Sequence, residues 1–129
     1  MAAAAHHTAE VFLHLVQNFL ADERPTAARL AVLTRGAVAA APGDLVPEPA
    51  QAPLWGLLRT VQSEHPDRVV LIDADEEVSA DDRLLAAAFT SGEGQVAVRS
   101  GGLAVPRLRR AAPSDGGAVS WGSAPARCW

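Results

Sequence analysis

Residues 49–73 read PAQAPLWGLLRTVQSEHPDRVVLID, and a change of period inside this stretch decides the fold. Leu54, Trp55, Leu58, Val61 and Gln62 recur at helical offsets and Leu57 widens the apolar side, so a helix is expected from about Ala50 to His65. Pro66 stops it, because proline lacks the N–H that the next turn needs. Val69 to Ile72 (VVLI) then has no polar face, the pattern of a strand covered on both sides. Gly56 costs this helix about 1 kcal/mol relative to alanine. Its expected reason is close packing of the helix on a sheet.

Working outward, Arg29 to Thr34 (RLAVLT) reads as a second buried strand, and a helix between two such strands implies a right-handed parallel crossover. A first helix is expected from about Thr8 to Ala21, with Val11, Phe12, Leu15, Val16, Phe19 and Leu20 on one wide apolar face. Pro25 ends it, and residues 39–49, rich in proline and glycine, form a surface loop. A third helix starts after Ser79 with Asp82 as its capping partner, buries Leu84, Leu85, Ala88 and Phe89, and ends before Gly92. Gln95 to Arg99 and Leu103 to Leu108, joined by Ser100-Gly101-Gly102, read as a hairpin or bent edge strand, with Pro106 at an edge. The class is α/β: a short, mainly parallel sheet with flanking helices and a C-terminal hairpin or edge strand. Residues 1–8 read as an N-terminal extension, 9–112 as the domain and 113–129 as a linker-like tail.

Composition narrows the chemistry. The chain has 129 residues, enough for one domain. Alanine supplies 27 of them, so the core buries less area per residue than a leucine-rich one and independent stability is doubtful. A net charge of −4 gives no electrostatic case for nucleic acid or an anionic membrane. No apolar run reaches the roughly 18 residues of a membrane span, and the opening MAAAAHHTAE lacks the pattern of a signal peptide. The single cysteine, Cys128, has no disulfide or zinc partner and suits a reducing cytoplasm. There is no tyrosine and no lysine. Chemistry that needs a phenol or an amine is therefore excluded within this chain, and so is a phosphate loop built on lysine.

The candidate sites are weak one by one. A dinucleotide loop needs clustered glycines directly between a strand and a helix; only Gly36 follows the first strand, and Ser91-Gly92-Glu93-Gly94 and Ser100-Gly101-Gly102 sit in turn contexts. Asp73-Ala74-Asp75-Glu76-Glu77 follows a buried strand, where paired carboxylates can hold a divalent metal. The plainer reading is a solvated βα loop whose acids favour the next helix N-terminus. Ser63-Glu64-His65 cannot form a relay, because adjacent helical side chains diverge. His6, His7 and His14 make no metal set, Trp55 reads as core, and Arg107, Arg109 and Arg110 read as a solvated strand edge. No catalytic, cofactor-binding or metal residue is assigned.

Three blocks, TRGAVA (34–39), residues 49–73 and GQVAVRSGGLAVPRLRRA (94–111), resemble the structural subdomain of ketoreductases in bacterial modular type I polyketide synthases. The resemblance covers about residues 9–112 and implies a truncated Rossmann-like domain that binds no cofactor and supports a catalytic half. That half would carry the NADPH loop and the Ser, Tyr and Lys that reduce a β-ketoacyl chain held on a phosphopantetheine carrier protein. The implied partners are this catalytic subdomain and neighbouring synthase domains, with no nucleic acid and no membrane. The family has one or more strands before the first helix, so the resemblance also implies a fragment. Two other readings stay open: a small metal-dependent transferase using Asp73 and Asp75, and a free-standing interaction module.

Overall fold

A computed structural model describes residues 2–22, 27–75, 82–100, 102–108 and 110. The elements run α1 (Ala2–Ala21), β1 (Leu30–Arg35), a 3₁₀ turn (Pro49–Gln51), α2 (Ala52–Glu64), β2 (Val69–Ala74), α3 (Asp82–Thr90), β3 (Gln95–Arg99) and β4 (Gly102–Ala104). They form a four-stranded sheet of order β1-β2-β3-β4. β1, β2 and β3 are parallel, and β4 returns antiparallel to β3. The α/β class and the hairpin at residues 95–104 match the sequence reading, with Gly102 at φ 119° serving the turn.

The helices α1 and α2 cover one face, where Val16, Val32, Leu54, Trp55, Leu58 and Leu71 pack into one cluster. On the other face α3 packs Ala88, Leu84, Leu85 and Phe89 against Val70, Ile72, Val96 and Val98. The strand order advances in one direction while α2 and α3 lie on opposite faces. The two crossovers therefore have opposite hands, and the right-handed preference holds for only one of them.

Several boundaries differ from expectation. α1 starts at Ala2, not near Thr8, so residues 2–8 are part of the helix and not an extension ahead of it. Alanine is the strongest helix former, so the run Ala2 to Ala5 extends the helix at little entropic cost. Of the six apolar residues expected on its buried face, only Val16 is fully buried; Val11 and Leu15 remain 47% and 43% exposed. β1 spans 30–35 instead of 29–34. α2 is preceded by the 3₁₀ turn, and Pro53 sits in its first turn, where a missing N–H does no harm. Gly56 is exposed, and a Cβ built on it would meet nothing within 4 Å, so close packing is not its reason. The expected cap at Ser79 and the tail at 113–129 lie outside the described residues.

Candidate functional site

In open α/β sheets, ligands bind beyond the carboxyl ends of the strands, so the candidate site is built from what the strand ends carry there. Parallel pairing sets Thr34 of β1 beside Asp73 of β2, and Arg99 ends β3 on the same face. Asp73 is fully buried. One of its oxygens accepts the Thr34 hydroxyl at 2.6 Å and the Ala37 N–H at 2.8 Å. The other accepts Arg99 Nη2 at 2.9 Å. Trp55 Nε1–H closes the network from α2 by donating to Thr34 Oγ1 at 3.0 Å.

Arg99 reaches further. It donates to the carbonyls of Asp73 (2.9 Å), Val98 (3.0 Å) and Val38 (2.8 Å). Its Nε lies 3.5 Å from Asp44, whose Oδ2 accepts the N–H groups of Ala40 and Ala41 at 2.9 and 3.1 Å. Those backbone bonds, Ala40's first, hold the Asp44 carboxyl below its usual range with the help of Arg99. One guanidinium thus ties the loop after β1 to the ends of β2 and β3. Among the described residues no buried side-chain polar atom lacks a partner.

The same loop explains Gly36. Its φ is 58°, and a Cβ there would stand 2.6 Å from Pro47 Cγ. This glycine lets the loop fold back on itself, and Glu48 N–H bonds the Gly36 carbonyl at 3.3 Å. Beside the network is a cleft of about 760 Å³ lined by Arg35, Leu45, Pro47, Glu48, Gln51 and Asp75, among others. It offers mixed charge and an apolar lip, and among the described residues that line it there is no hydroxyl, thiol, imidazole or amine side chain.

The expectation of a solvated Asp73 is overturned. β2 continues to Ala74, which carries Asp73 into the interior. Both of its oxygens are bonded within the protein, so the carboxylate that a metal-dependent transferase would aim at a cation is already engaged. Asp75 lies apart, half-buried at the cleft, and residues 76–81 are outside the described part. Among the described residues there is no group of three or more His, Cys, Asp or Glu that could hold a metal. Ser63 bonds the Arg59 carbonyl one turn back, and Glu64 and His65 are exposed. His6, His7 and His14 lie exposed along α1. Trp55 is in the core, as expected. Arg107 forks onto Glu93, at 2.6 and 3.1 Å, and this lowers the Glu93 carboxyl. No helix among the described residues is long and apolar enough to cross a membrane.

Sequence reasoning missed the network itself. Its signal was present: Thr34 and Arg99 end expected strands and Asp73 directly follows the expected strand 69–72, and the in-register parallel pairing that the structure shows puts these polar ends side by side.

Residues 1–108 match the family model described as polyketide synthase extender module SpnB, Rossmann fold domain. Spectinabilin polyketide synthase system protein NorA of Streptomyces orinoci is 48% identical over 120 residues, covering 92% of this chain and 6% of that protein. Polyketide synthase GfsE of Streptomyces halstedii is 49% identical over 121 residues, covering 90% of this chain and 3% of its own length. A solved C2-type ketoreductase from a modular polyketide synthase superposes with a TM-score of 0.59 at 40% identity, over 68% of this chain and 20% of that one. The chain thus spans a small part of each relative.

Proposed function

This chain belongs to the family of Rossmann fold domains of polyketide synthase extender modules, and from that membership we propose that it is the non-catalytic structural half of a ketoreductase. The likeness to a solved ketoreductase supports the ketoreductase assignment. The Asp73-centred network is the single observation that carries the non-catalytic reading. The ends of the strands, where a Rossmann domain would hold its cofactor, are filled by the protein's own groups.

These residues do not fit a dinucleotide. A pyrophosphate needs free backbone N–H groups at the first turn after a strand, and the Ala37 N–H is bonded to a carboxylate. Gly36, the glycine after β1, is packed on Pro47. The chain also has no tyrosine or lysine to carry a proton to a carbonyl. NADPH and the carrier-bound β-ketoacyl chain accordingly belong to a separate catalytic half, which this domain supports. The edge that docks on it is the hairpin side, where Leu103 and Val105 are partly exposed and Leu108 is fully exposed.

The test is to co-express the chain with a ketoreductase catalytic subdomain and follow NADPH oxidation with a β-ketoacyl thioester. Turnover by the catalytic subdomain is expected to rise when the chain is present, and the chain alone is expected to oxidise nothing. Oxidation of NADPH by the isolated chain would overturn the proposal.

A further inference from the structure

The loop between β1 and the 3₁₀ turn, residues 36–48, is held unevenly along its length. At its start Gly36 N–H bonds the Ala74 carbonyl at 3.1 Å, and Ala37 is buried with its N–H on Asp73. Val38 packs against the core under α1 and α2 while its carbonyl accepts Arg99 Nη2. At its finish Pro47 rests on Gly36, and Glu48 N–H bonds the Gly36 carbonyl. Between these ends, residues 39–46 hold mainly to one another. Asp44 Oδ2 accepts the N–H groups of Ala40 and Ala41, and Asp44 N–H returns to the Ala41 carbonyl at 3.1 Å. An aspartate side chain used this way closes a turn on itself. Among the described residues, one polar contact joins this tip to the rest of the chain, the partly exposed Asp44–Arg99 Nε pair at 3.5 Å.

Packing does not hold the tip either. Leu45, its largest side chain, is 84% exposed. A space of about 110 Å³ is lined by Ala39 and Ala40 of the tip and by Trp55, Ala97 and Val105. The cleft of about 760 Å³ has Gly43, Asp44 and Leu45 on the tip's wall and Arg35, Gln51 and Asp75 on the wall formed by the strand ends and the 3₁₀ turn. Groups that border empty space have no dispersion contacts on that side.

We propose that residues 39–46 are a flap that swings as one body about its junctions with Val38 and Pro47, latched by the Asp44–Arg99 pair, and that its swing sets the width of the cleft beyond the strand ends. A hinge of this kind needs only a few loop residues to absorb the change in dihedral angles. Arg99 serves two carboxylates unequally. Its bond to the buried Asp73 keeps the guanidinium in place whether or not Asp44 is engaged, so the latch opens without disturbing the network. The clamp of Asp44 on Ala40 and Ala41 travels with the flap, so opening leaves no backbone donor stranded. The balance is fine, because a partly exposed ion pair changes a ratio of two states by only about two- to fivefold. The latch and both hinges are built from residues 36–48, Asp73 and Arg99, so the device depends neither on the ketoreductase assignment nor on the ends of the chain.

Distances between spin labels test it on the full chain, with Cys128→Ser removing the native thiol. Labels at Leu45→Cys on the flap and Ser63→Cys on α2, both exposed positions, are expected to give two distance populations. The minor one is expected to gain about two- to fivefold in Asp44→Asn, which keeps an acceptor for Ala40 and Ala41 but loses the charge. The same gain is expected in the Asp44 chain when salt is raised from about 20 mM to about 1 M, since salt screens such a pair. Labels at Glu48→Cys and Ser63→Cys, beyond the hinge, are expected to give one narrow distance throughout. A single Leu45–Ser63 distance unmoved by salt and by Asp44→Asn overturns the proposal. So does a shift with salt that Asp44→Asn does not reproduce, or a spread at Glu48 as large as that at Leu45, which would mean that the whole loop opens and not a flap.

Discussion

On the face covered by α3, Val70, Ile72, Val96 and Val98 pack against the aliphatic and aromatic side chains of that helix, whereas the face under α1 and α2 buries Thr34 and Asp73 just as deeply beneath Trp55. The difference lies in how each face fails. An aliphatic layer loses stability in proportion to the methyl groups removed, because its contacts are many and non-directional. A buried carboxylate held by a hydroxyl, an N–H and a guanidinium fails in a step, because removing it leaves the remaining donors desolvated and unpaired. The first face supplies cohesion. The second fixes one arrangement of the loop after β1 and of the ends of β2 and β3.

The sharpest way to break this contrast is Asp73→Ala. It leaves the Thr34 hydroxyl and the Ala37 N–H without their acceptor and takes one carboxylate partner from Arg99, so a loss of about 3–5 kcal/mol is expected in urea unfolding. A loss below about 1 kcal/mol would mean that the network is no more critical than an ordinary surface contact. Val98→Ala, on the aliphatic face, is expected to cost about 1.5–3 kcal/mol by the same measurement, with the loop after β1 undisturbed. Amide exchange at Ala37 separates the two variants: it should accelerate locally in Asp73→Ala and only in step with global stability in Val98→Ala.

Smaller in size and opposite in sign, Gly56→Ala is expected to stabilise the chain by about 0.5–1 kcal/mol, since the new methyl meets open space on an exposed helix surface. Destabilisation would show that α2 has a neighbour there. The smallest effect concerns acid. The folded Asp44 carboxyl titrates below its unfolded value, so its contribution is present above that value and lost as the pH falls through the folded one. The melting temperature of the wild type should therefore drop further between about pH 4 and pH 2 than that of Asp44→Asn, the window that a lowered carboxylate defines. Equal drops would separate Asp44 from the loop's stability.

Most of the fold was legible because it rests on period. The switch from helical spacing to an unbroken apolar run at Pro66 located α2 and β2, and alternation on both sides of Gly101-Gly102 located the hairpin. Where local signals competed with tertiary ones, the reading slipped. Alanine propensity carried α1 back to Ala2, and Gly56 was given a packing role that no neighbour supplies. The apolar breadth of α1 was taken for a buried face, although only the Phe12–Val16–Leu20 side meets the core. The candidate site was barely legible: Asp73 looked like the first residue of an acidic loop, and its partners lie 26 to 39 residues away in the chain.

The sequence alone determined the α/β class, the three helices and four strands, the burial of Trp55, and the exclusion of any chemistry that needs a tyrosine or lysine in this chain, because each follows from composition or from contacts a few residues apart. Only the tertiary structure decided that Asp73 is interior, that Arg99 ties three segments together, and that β1 lies next to β2 and β2 next to β3. Those outcomes depend on which strands become neighbours and in what register, and a local period carries no information about the partner across the sheet.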